Sequence, residues 1–282
     1  MRLAAKNEKQ GILTMLHQSR LFHDAVRVFR VQRIAKSVLT RIPLSRTLHE
    51  SKLRYRLRNL ESFLLADEIF KGKVYRDAFD GADVQTFVDL GCNVGFFVLY
   101  AAAQSKLGRE VIGLAVDGSE EMADETRWHV EQNGLTNVRV ELGAAGFPPD
   151  VHETTFYVNP SNVASSAQPT LNPNVPKKGD SVAVKVPVVH VHERWRSLHG
   201  DRRIDLLKID VEGTECDLIR NEPALLAIAD RIVIEWHKWI TSLDEVGGLL
   251  RAAGFSQRVV VGEDDNAGVA VFERTRPAAR AT

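Results

Sequence analysis

The sequence has only two cysteines, Cys92 and Cys216, among 282 residues. Two thiols cannot build a disulfide framework, which excludes the small cross-linked secreted scaffolds. No stretch approaches the roughly 20 apolar residues that span a bilayer. The opening MRLAAKNEKQ is charged and lacks an apolar block, so it does not read as a secretory leader. Together these absences predict a cytoplasmic protein. Fixed-period repeats and long low-complexity runs are also missing. No Cys–His spacing fits a zinc site. Ser165-Ser166 lacks the glycine elbow of a hydrolase nucleophile.

What is present is ordinary globular composition, 44% hydrophobic and 26% charged. The net charge of zero conceals an asymmetry. Residues 1–60 hold 14 Lys and Arg against 3 Asp and Glu; the other 222 residues hold 23 against 34. Two differently charged segments are therefore joined, and the division is placed at 1–75 and 76–282. Residues 11–39 read as a basic amphipathic helix, with Ile12, Leu16, Leu21, Val28, Val31 and Ile34 near one stripe. A second helical stretch is expected over 47–70. The pair forms a cap with its basic face in water; the alternative is a contact surface for an anionic substrate, a membrane surface or a second copy of the chain.

From residue 84 the pattern alternates between strand and helix. Strands are expected at 86–91, 111–118, 138–146, 204–213 and 231–237, with a terminal hairpin from 256–262 and 268–274. Helices are expected after 94, over 120–133, after 213 to about 227, and over LDEVGGLLRAAG. This predicts an α/β fold: a Rossmann-like, mostly parallel seven-stranded sheet with helices on both faces. Ligands of such sheets sit beyond the C-terminal strand ends, where strand order reverses. Residues 147–203 break the alternation with a Pro-, Asn- and Ser-rich insertion, a common place for substrate contacts. Strands at 154–159 and 181–189 fit within it.

The most informative segment is Val88-Asp89-Leu90-Gly91-Cys92-Asn93-Val94-Gly95-Phe96-Phe97. Gly91 permits a sharp turn and close approach of a ligand. Asn93 tolerates unusual backbone angles. Gly95 and Phe96 open a helix whose amides favour a carboxylate. The segment departs from the dinucleotide fingerprint, because position 93 is Asn and the acid Asp89 precedes the turn. An acid there repels a pyrophosphate and suits a cation, such as the sulfonium and ammonium of S-adenosylmethionine. Asp117, at the end of the next strand, is the expected acceptor for ribose hydroxyls. Gly143 and Ala144, one strand further, leave room for an adenine.

Three blocks resemble the FkbM-type methyltransferases of the class I, Rossmann-like group. They are FVDLGCNVGFF, HVEQNGLTNVRVELGAAG and LLKIDVEGTECDLI, with IVIEWH similar to a later strand ending in Glu and His. The resemblance covers about residues 84–240. It implies methyl transfer from S-adenosylmethionine, usually to an oxygen and often to a hydroxyl of a sugar or natural product. Cys92 stands where Ala is usual in that family, and Asp117-Gly118 where Glu-Pro is usual.

Methyl transfer to a hydroxyl needs alignment and removal of a proton. Asp210 and Glu212 end the fourth expected strand, and Glu235 and His237 end the fifth. Each pair is expected to share a strand face. His237 or Glu235 is expected to act as general base, with Asp210 and Glu212 placing the cofactor's methionine end or the acceptor. The same four residues offer hard ligands for a divalent metal, but no short signature fixes such a site and none is assigned. The expected partner is a small-molecule or glycan acceptor, at a hydroxyl or carboxyl. Competing readings are a silent binding module, an N-methyltransferase, a nicotinamide oxidoreductase, and a nucleic-acid methyltransferase using the basic helices. Absence of an Asn-Pro-Pro-Tyr or Asp-Pro-Pro-Tyr block argues against the last.

Overall fold

The computed structural model describes residues 43–159, 165–168 and 181–275. The basic stretch 11–39 lies outside them. The chain divides into two compact units; of the described residues, 43–46 and 56–64 belong to the smaller and the remainder to the larger.

The region expected as one helix over 47–70 is split. Strands β1 (Leu44–Thr47) and β2 (Arg54–Leu57) come first, and only then helix α1 (Leu60–Ala66), which continues as a π-helical turn over Asp67–Gly72. A tight turn explains the difference. Leu48 N–H donates to Leu53 O, Lys52 N–H donates to Leu48 O, and Lys52 takes a left-handed φ of 58°. The helix starts late because Asn59 and Ser62 cap it reciprocally: Asn59 Oδ1 accepts the Ser62 N–H, and Ser62 Oγ accepts the Asn59 N–H.

The larger unit follows the expected alternation. After α2 (Arg76–Phe79) come β3 (Thr86–Leu90), α3 (Phe96–Gln104), β4 (Ile112–Asp117), α4 (Glu120–Gln132) and β5 (Val138–Leu142). The insertion contains β6 (Glu153–Val158), β7 (Val182–Pro187) and α5 (Val191–His199). The series resumes with β8 (Ile204–Ile209), α6 (Glu215–Asn221), α7 (Pro223–Ile228), β9 (Ala229–His237), α8 (Leu243–Ala252), β10 (Phe255–Glu263) and β11 (Ala267–Arg274). Pro223 lacks the N–H a continuous helix needs, so the segment expected to run unbroken to about 227 becomes two helices.

Seven strands form one sheet in the order β10-β11-β9-β8-β3-β4-β5. Strands β9, β8, β3, β4 and β5 are parallel, and β11 runs antiparallel between β9 and β10. The fold is Rossmann-like. All five residues of β3 are buried, as expected for a central strand covered on both faces. On one face Val88 and Leu90 join Leu207 and Ile209 beneath Trp195, Leu218, Leu225 and Leu250 of the helices. On the other, Phe87 meets Phe97 of α3 edge-on, 6.0 Å between ring centres. Successive connections run outward from β3 through β4 to β5, then return to β8 on its other side. The order thus reverses between β3 and β8, and the loops beyond these two strand ends face each other.

Candidate active site

The loop after β3 is shaped by three left-handed residues: Gly91 at φ 76°, Asn93 at 48° and Gly95 at 79°. Gly91 is required by contact as well as by angle. A Cβ there would lie 1.7 Å from the carbonyl oxygen of Asp210. This close approach brings the loop against the residues that follow β8, and Asp210 N–H donates to Leu90 O at 3.1 Å. Gly91 and Cys92 donate to Val116 O of β4. Helix α4 holds the loop from outside: Thr126 Oγ1 donates to Asn93 O, and His129 Nδ1 meets Val94 O, each at 2.8 Å. A carbonyl only accepts, so Nδ1 carries the proton.

Asp117 ends β4 beside this loop. Its Oδ2 accepts the Asn93 N–H and its Oδ1 the Ser119 N–H, both at 2.8 Å. Burial raises its pKa to about 7, against the pull of those two amides. Each carboxylate oxygen keeps a lone pair for a further donor. Gly143 and Ala144 lie just past β5. Their amides donate to Asp117 O and Pro187 O, and a Cβ at Gly143 would lie 2.7 Å from both Pro187 O and Val189, so the room expected beside Gly143 is taken by the end of β7 and the chain that follows it. Phe96 is buried and packs with Tyr55, Phe70 and His129, within the core beneath the loop.

Asp89 is fully buried, and its cationic partner comes from the chain itself. Lys208 of β8, opposite it in the register, brings Nζ to 3.2 Å from Asp89 Oδ1 and 3.2 Å from Asp210 Oδ2. The same ammonium donates to Gly91 O at 2.9 Å. Burial opposes charge on Lys208, but Asp210 and Asp89 outweigh it and hold its pKa well above the ordinary lysine value. Burial pushes the Asp89 carboxyl up while Lys208 pulls it down, with burial prevailing. Lys208 is the residue that sequence reasoning passed over. The cue was a lysine within the apolar run Leu206–Ile209, where a buried charge requires partners.

The second cluster gathers at the ends of β8 and β9. Glu235 and His237 share a face of β9, as expected. Asp210 and Glu212 do not share a strand face, because β8 ends at Ile209 and Glu212 turns left-handed at φ 49°. The turn nevertheless delivers Glu212 to the histidine: His237 Nε2 lies 3.3 Å from Glu212 Oε2. His237 Nδ1 lies 2.7 Å from Glu215 Oε1, which also accepts the Gly213 N–H at 3.0 Å. Burial disfavours charge on the ring, but hydrogen bonds to both glutamates overcome it and push the pKa up to about 12. Burial first, then Asp210 nearby, raises the Glu235 carboxyl well above the usual range.

The insertion reaches this cluster. Strands β6 and β7 pair antiparallel, and Ser166 pairs with Tyr157 of β6. Ser166 Oγ donates to Glu212 O at 2.5 Å. The two tryptophans flanking His237 have separate roles. Trp236 is buried against Gly268, where a Cβ would come within 2.2 Å of its ring. Trp239 lies over Gly213 and is partly exposed. His190 and His192 fall at the start of α5 rather than on a strand, flanking buried Val191, with Glu222 accepting the Val191 and His192 amides.

Residues 89–256 match the methyltransferase FkbM domain. The chain belongs to the FkbM methyltransferase family. The match takes in the end of β3 and its loop, the β8 and β9 cluster and the insertion between them. A relative of this family member is Methyltransferase 1 of Beauveria bassiana (strain ARSEF 2860), 26% identical over 211 residues that cover 71% of this chain and 83% of that protein. Among solved structures, a SAM-dependent methyltransferase from Aquifex aeolicus is similar at 14% identity and a TM-score of 0.41, covering 74% of this chain and 93% of that one. Magnesium protoporphyrin IX methyltransferase from Synechocystis PCC 6803 is similar at 13% identity and 0.42, covering 77% and 85%. The fold assignment rests on the strand order itself. Among the described residues no helix is long and apolar enough to cross a membrane.

Proposed function

We propose that this chain is an O-methyltransferase that moves a methyl group from S-adenosylmethionine to a hydroxyl of a small molecule, natural product or sugar. The observation that carries the reading is the meeting of two sets of residues where the strand order reverses. A left-handed loop closed on Asp117 lies against Asp210, and Asp210 leads directly to the Glu212–His237–Glu215 cluster.

The residues fit the cofactor in shape and charge. Gly91, Asn93 and Gly95 keep side chains out of the loop's path, and Asp117 offers oxygens to a ribose diol. We assign the base to the edge of the site at Gly143 and Ala144, past the end of β5. Asp89 acts from beneath, through Lys208. Phe96 supports the helix start from the core. We assign Asp210 to the methionine end. Bound there, the cofactor supplies a methyl carbon already activated by its sulfonium.

The chain's own task is to align the acceptor and remove its proton. Both nitrogens of His237 are engaged by glutamates, so neither is open to a substrate hydroxyl in this arrangement. Glu235 makes no hydrogen bond among the described residues, and we assign it the proton. Glu212, held by His237, then orients the acceptor. On transfer of the methyl group to the acceptor oxygen, the hydroxyl proton would pass to Glu235. The insertion meets the acceptor side at Ser166, tied to Glu212, and beyond it the Trp239 indole N–H has no hydrogen-bond partner among the described residues.

The test is isothermal titration with S-adenosylmethionine and S-adenosylhomocysteine, on the wild-type protein and Asp117→Ala, followed by mass-spectrometric screening of hydroxylated acceptors. Binding that the substitution abolishes, and a methylated product, support the reading. Absence of binding to folded protein overturns it. Binding without turnover on any acceptor favours a silent binding module.

A further inference from the structure

Asp210, Glu212 and His237 each present a ligand atom to a common point. One carboxylate oxygen from each acid and one ring nitrogen lie within 4.8 Å of one another. The nitrogen is identified by what stands behind the ring. Glu215 Oε1 sits 2.7 Å from Nδ1 and takes its proton as a hydrogen bond, which leaves Nε2 facing Glu212. Glu215 is fully buried, and its second oxygen has no hydrogen-bond partner among the described residues. Such a carboxylate has no substrate to meet. Its placement is one that fixes the angle of a metal-binding imidazole through Nδ1, and an ion at Nε2 would displace the proton that this nitrogen shares with Glu212.

Charge points the same way. Among the described residues, Asp89, Asp210, Glu212, Glu215 and Glu235 gather around the cations Lys208 and His237. Five carboxylates against two cations leave a local negative excess that a divalent ion would offset. The donor set decides the kind of ion. Two carboxylates and one imidazole, with no thiolate, are hard ligands suited to magnesium or manganese. Cys216 is nearby in sequence but pairs with Thr241 Oγ1 at 3.2 Å.

We propose that Asp210, Glu212 and His237 bind one hard divalent cation, Mg²⁺ or Mn²⁺, with Glu215 as the residue that positions the imidazole. Three protein ligands leave the ion's other positions to water or to oxygens of the acceptor. On the O-methyltransferase reading above, on which this part rests, the acceptor class narrows to molecules with two adjacent oxygens able to chelate. The ion would acidify the hydroxyl held on it. The sequence alone left this set unassigned because no short spacing signature carries it. The ligands come from two different strand ends.

The probe is Mn²⁺ alone, titrated into the full-length protein without cofactor, with free Mn²⁺ read by electron paramagnetic resonance. S-adenosylhomocysteine is titrated separately into the same samples. We expect one Mn²⁺ per chain, its binding abolished by His237→Ala and Glu212→Gln. Glu215→Gln should weaken it by roughly 10- to 100-fold while leaving the three ligands in place. Free Mn²⁺ undiminished by the wild-type protein overturns the proposal, and no variant is needed to see it. If that same protein binds S-adenosylhomocysteine, the methyltransferase reading stands and the acid cluster serves transfer without an ion. Mn²⁺ binding indifferent to both ligand substitutions also overturns the proposal, since the ion then sits elsewhere. Mn²⁺ bound at this site by a protein that takes no S-adenosylhomocysteine supports the cation and removes the cofactor assignment.

Discussion

Asp117 and Asn93 are joined across the ends of neighbouring strands, the carboxylate of one accepting the backbone N–H of the other at 2.8 Å. One side chain therefore both shapes the loop after β3 and stands ready for a ligand. On the proposed cofactor assignment, its pKa, raised by burial to about 7, makes cofactor affinity depend on pH. Ribose hydroxyls donate to the ionised carboxylate, so a protonated Asp117 must lose its proton on binding. Affinity for S-adenosylhomocysteine should fall by up to about tenfold per pH unit below pH 7 and level off above it. Asp117→Asn should bind more weakly and lose that step. The charged groups facing Asp117, Lys208 and Asp89, are common to both proteins. Titration calorimetry from pH 5.5 to 8.5 reads both profiles; an unchanged step in the Asn variant assigns it to another group.

The same ionisation bears on stability with the opposite sign. A carboxyl whose folded pKa is raised above its unfolded value favours the fold while protonated. Its contribution is fully present below about pH 4 and is lost as pH rises through about 7. Wild-type cofactor-free protein should show this decline in urea midpoint between pH 5 and 8, and added S-adenosylhomocysteine should suppress it.

Lys208 holds Asp89, Asp210 and the carbonyl of Gly91 with one buried ammonium. Lys208→Met keeps the length of the side chain and removes the charge. Two neighbouring carboxylates are then left without their cation, which costs about 3–5 kcal/mol. The expected result is a large drop in the urea midpoint of the protein. Lys208→Arg should rescue only part of it, because the broader guanidinium does not fit the ammonium's position. A midpoint within error of wild type for Lys208→Met would show that the three contacts contribute little.

Much of this was legible in the sequence because it depends on local pattern. Alternating apolar strands and helices from residue 84 marked a mostly parallel seven-stranded sheet, and Asp89–Gly95 marked the turn. What was hidden depends on contacts across the chain. Lys208 looks like a misplaced charge until the register sets it opposite Asp89. Glu215 reads as the first turn of a helix until the fold brings it behind His237. Lys52, at a left-handed φ of 58°, breaks an apolar periodicity that otherwise reads as helix over 47–70. Glu212 leaves the extended conformation one turn earlier than its strand pattern implies, and no propensity rule anticipates that.

Gly91 and Gly134 both take positive φ, 76° and 62°, yet their surroundings differ. A Cβ on Gly134 meets nothing within 4 Å, whereas one on Gly91 collides with backbone of Asp210. Gly134→Ala should cost only the conformational penalty of about 1–2 kcal/mol and leave cofactor binding intact. Gly91→Ala should pay that penalty and also separate the loop from Asp210, abolishing binding of S-adenosylhomocysteine. Calorimetry on the pair makes the comparison. Equal losses in both would mean that the left-handed angle, rather than the contact, is what matters.

The assignment of the proton to Glu235 has its own consequence. Glu235→Gln keeps the size and polarity of the side chain and removes its capacity to take a proton. Turnover should fall by about 10²- to 10⁴-fold, the range for loss of a general base, with cofactor affinity near wild type. His237→Ala should lower turnover by a different route. It releases Glu212 and Glu215 from their shared partner, so acceptor KM should rise along with the loss in kcat. Steady-state kinetics on an identified acceptor separates the two, because only loss of the base leaves KM unmoved. Full activity in Glu235→Gln would pass the proton to Asp210 or Glu212, the remaining carboxylates at the ends of these strands.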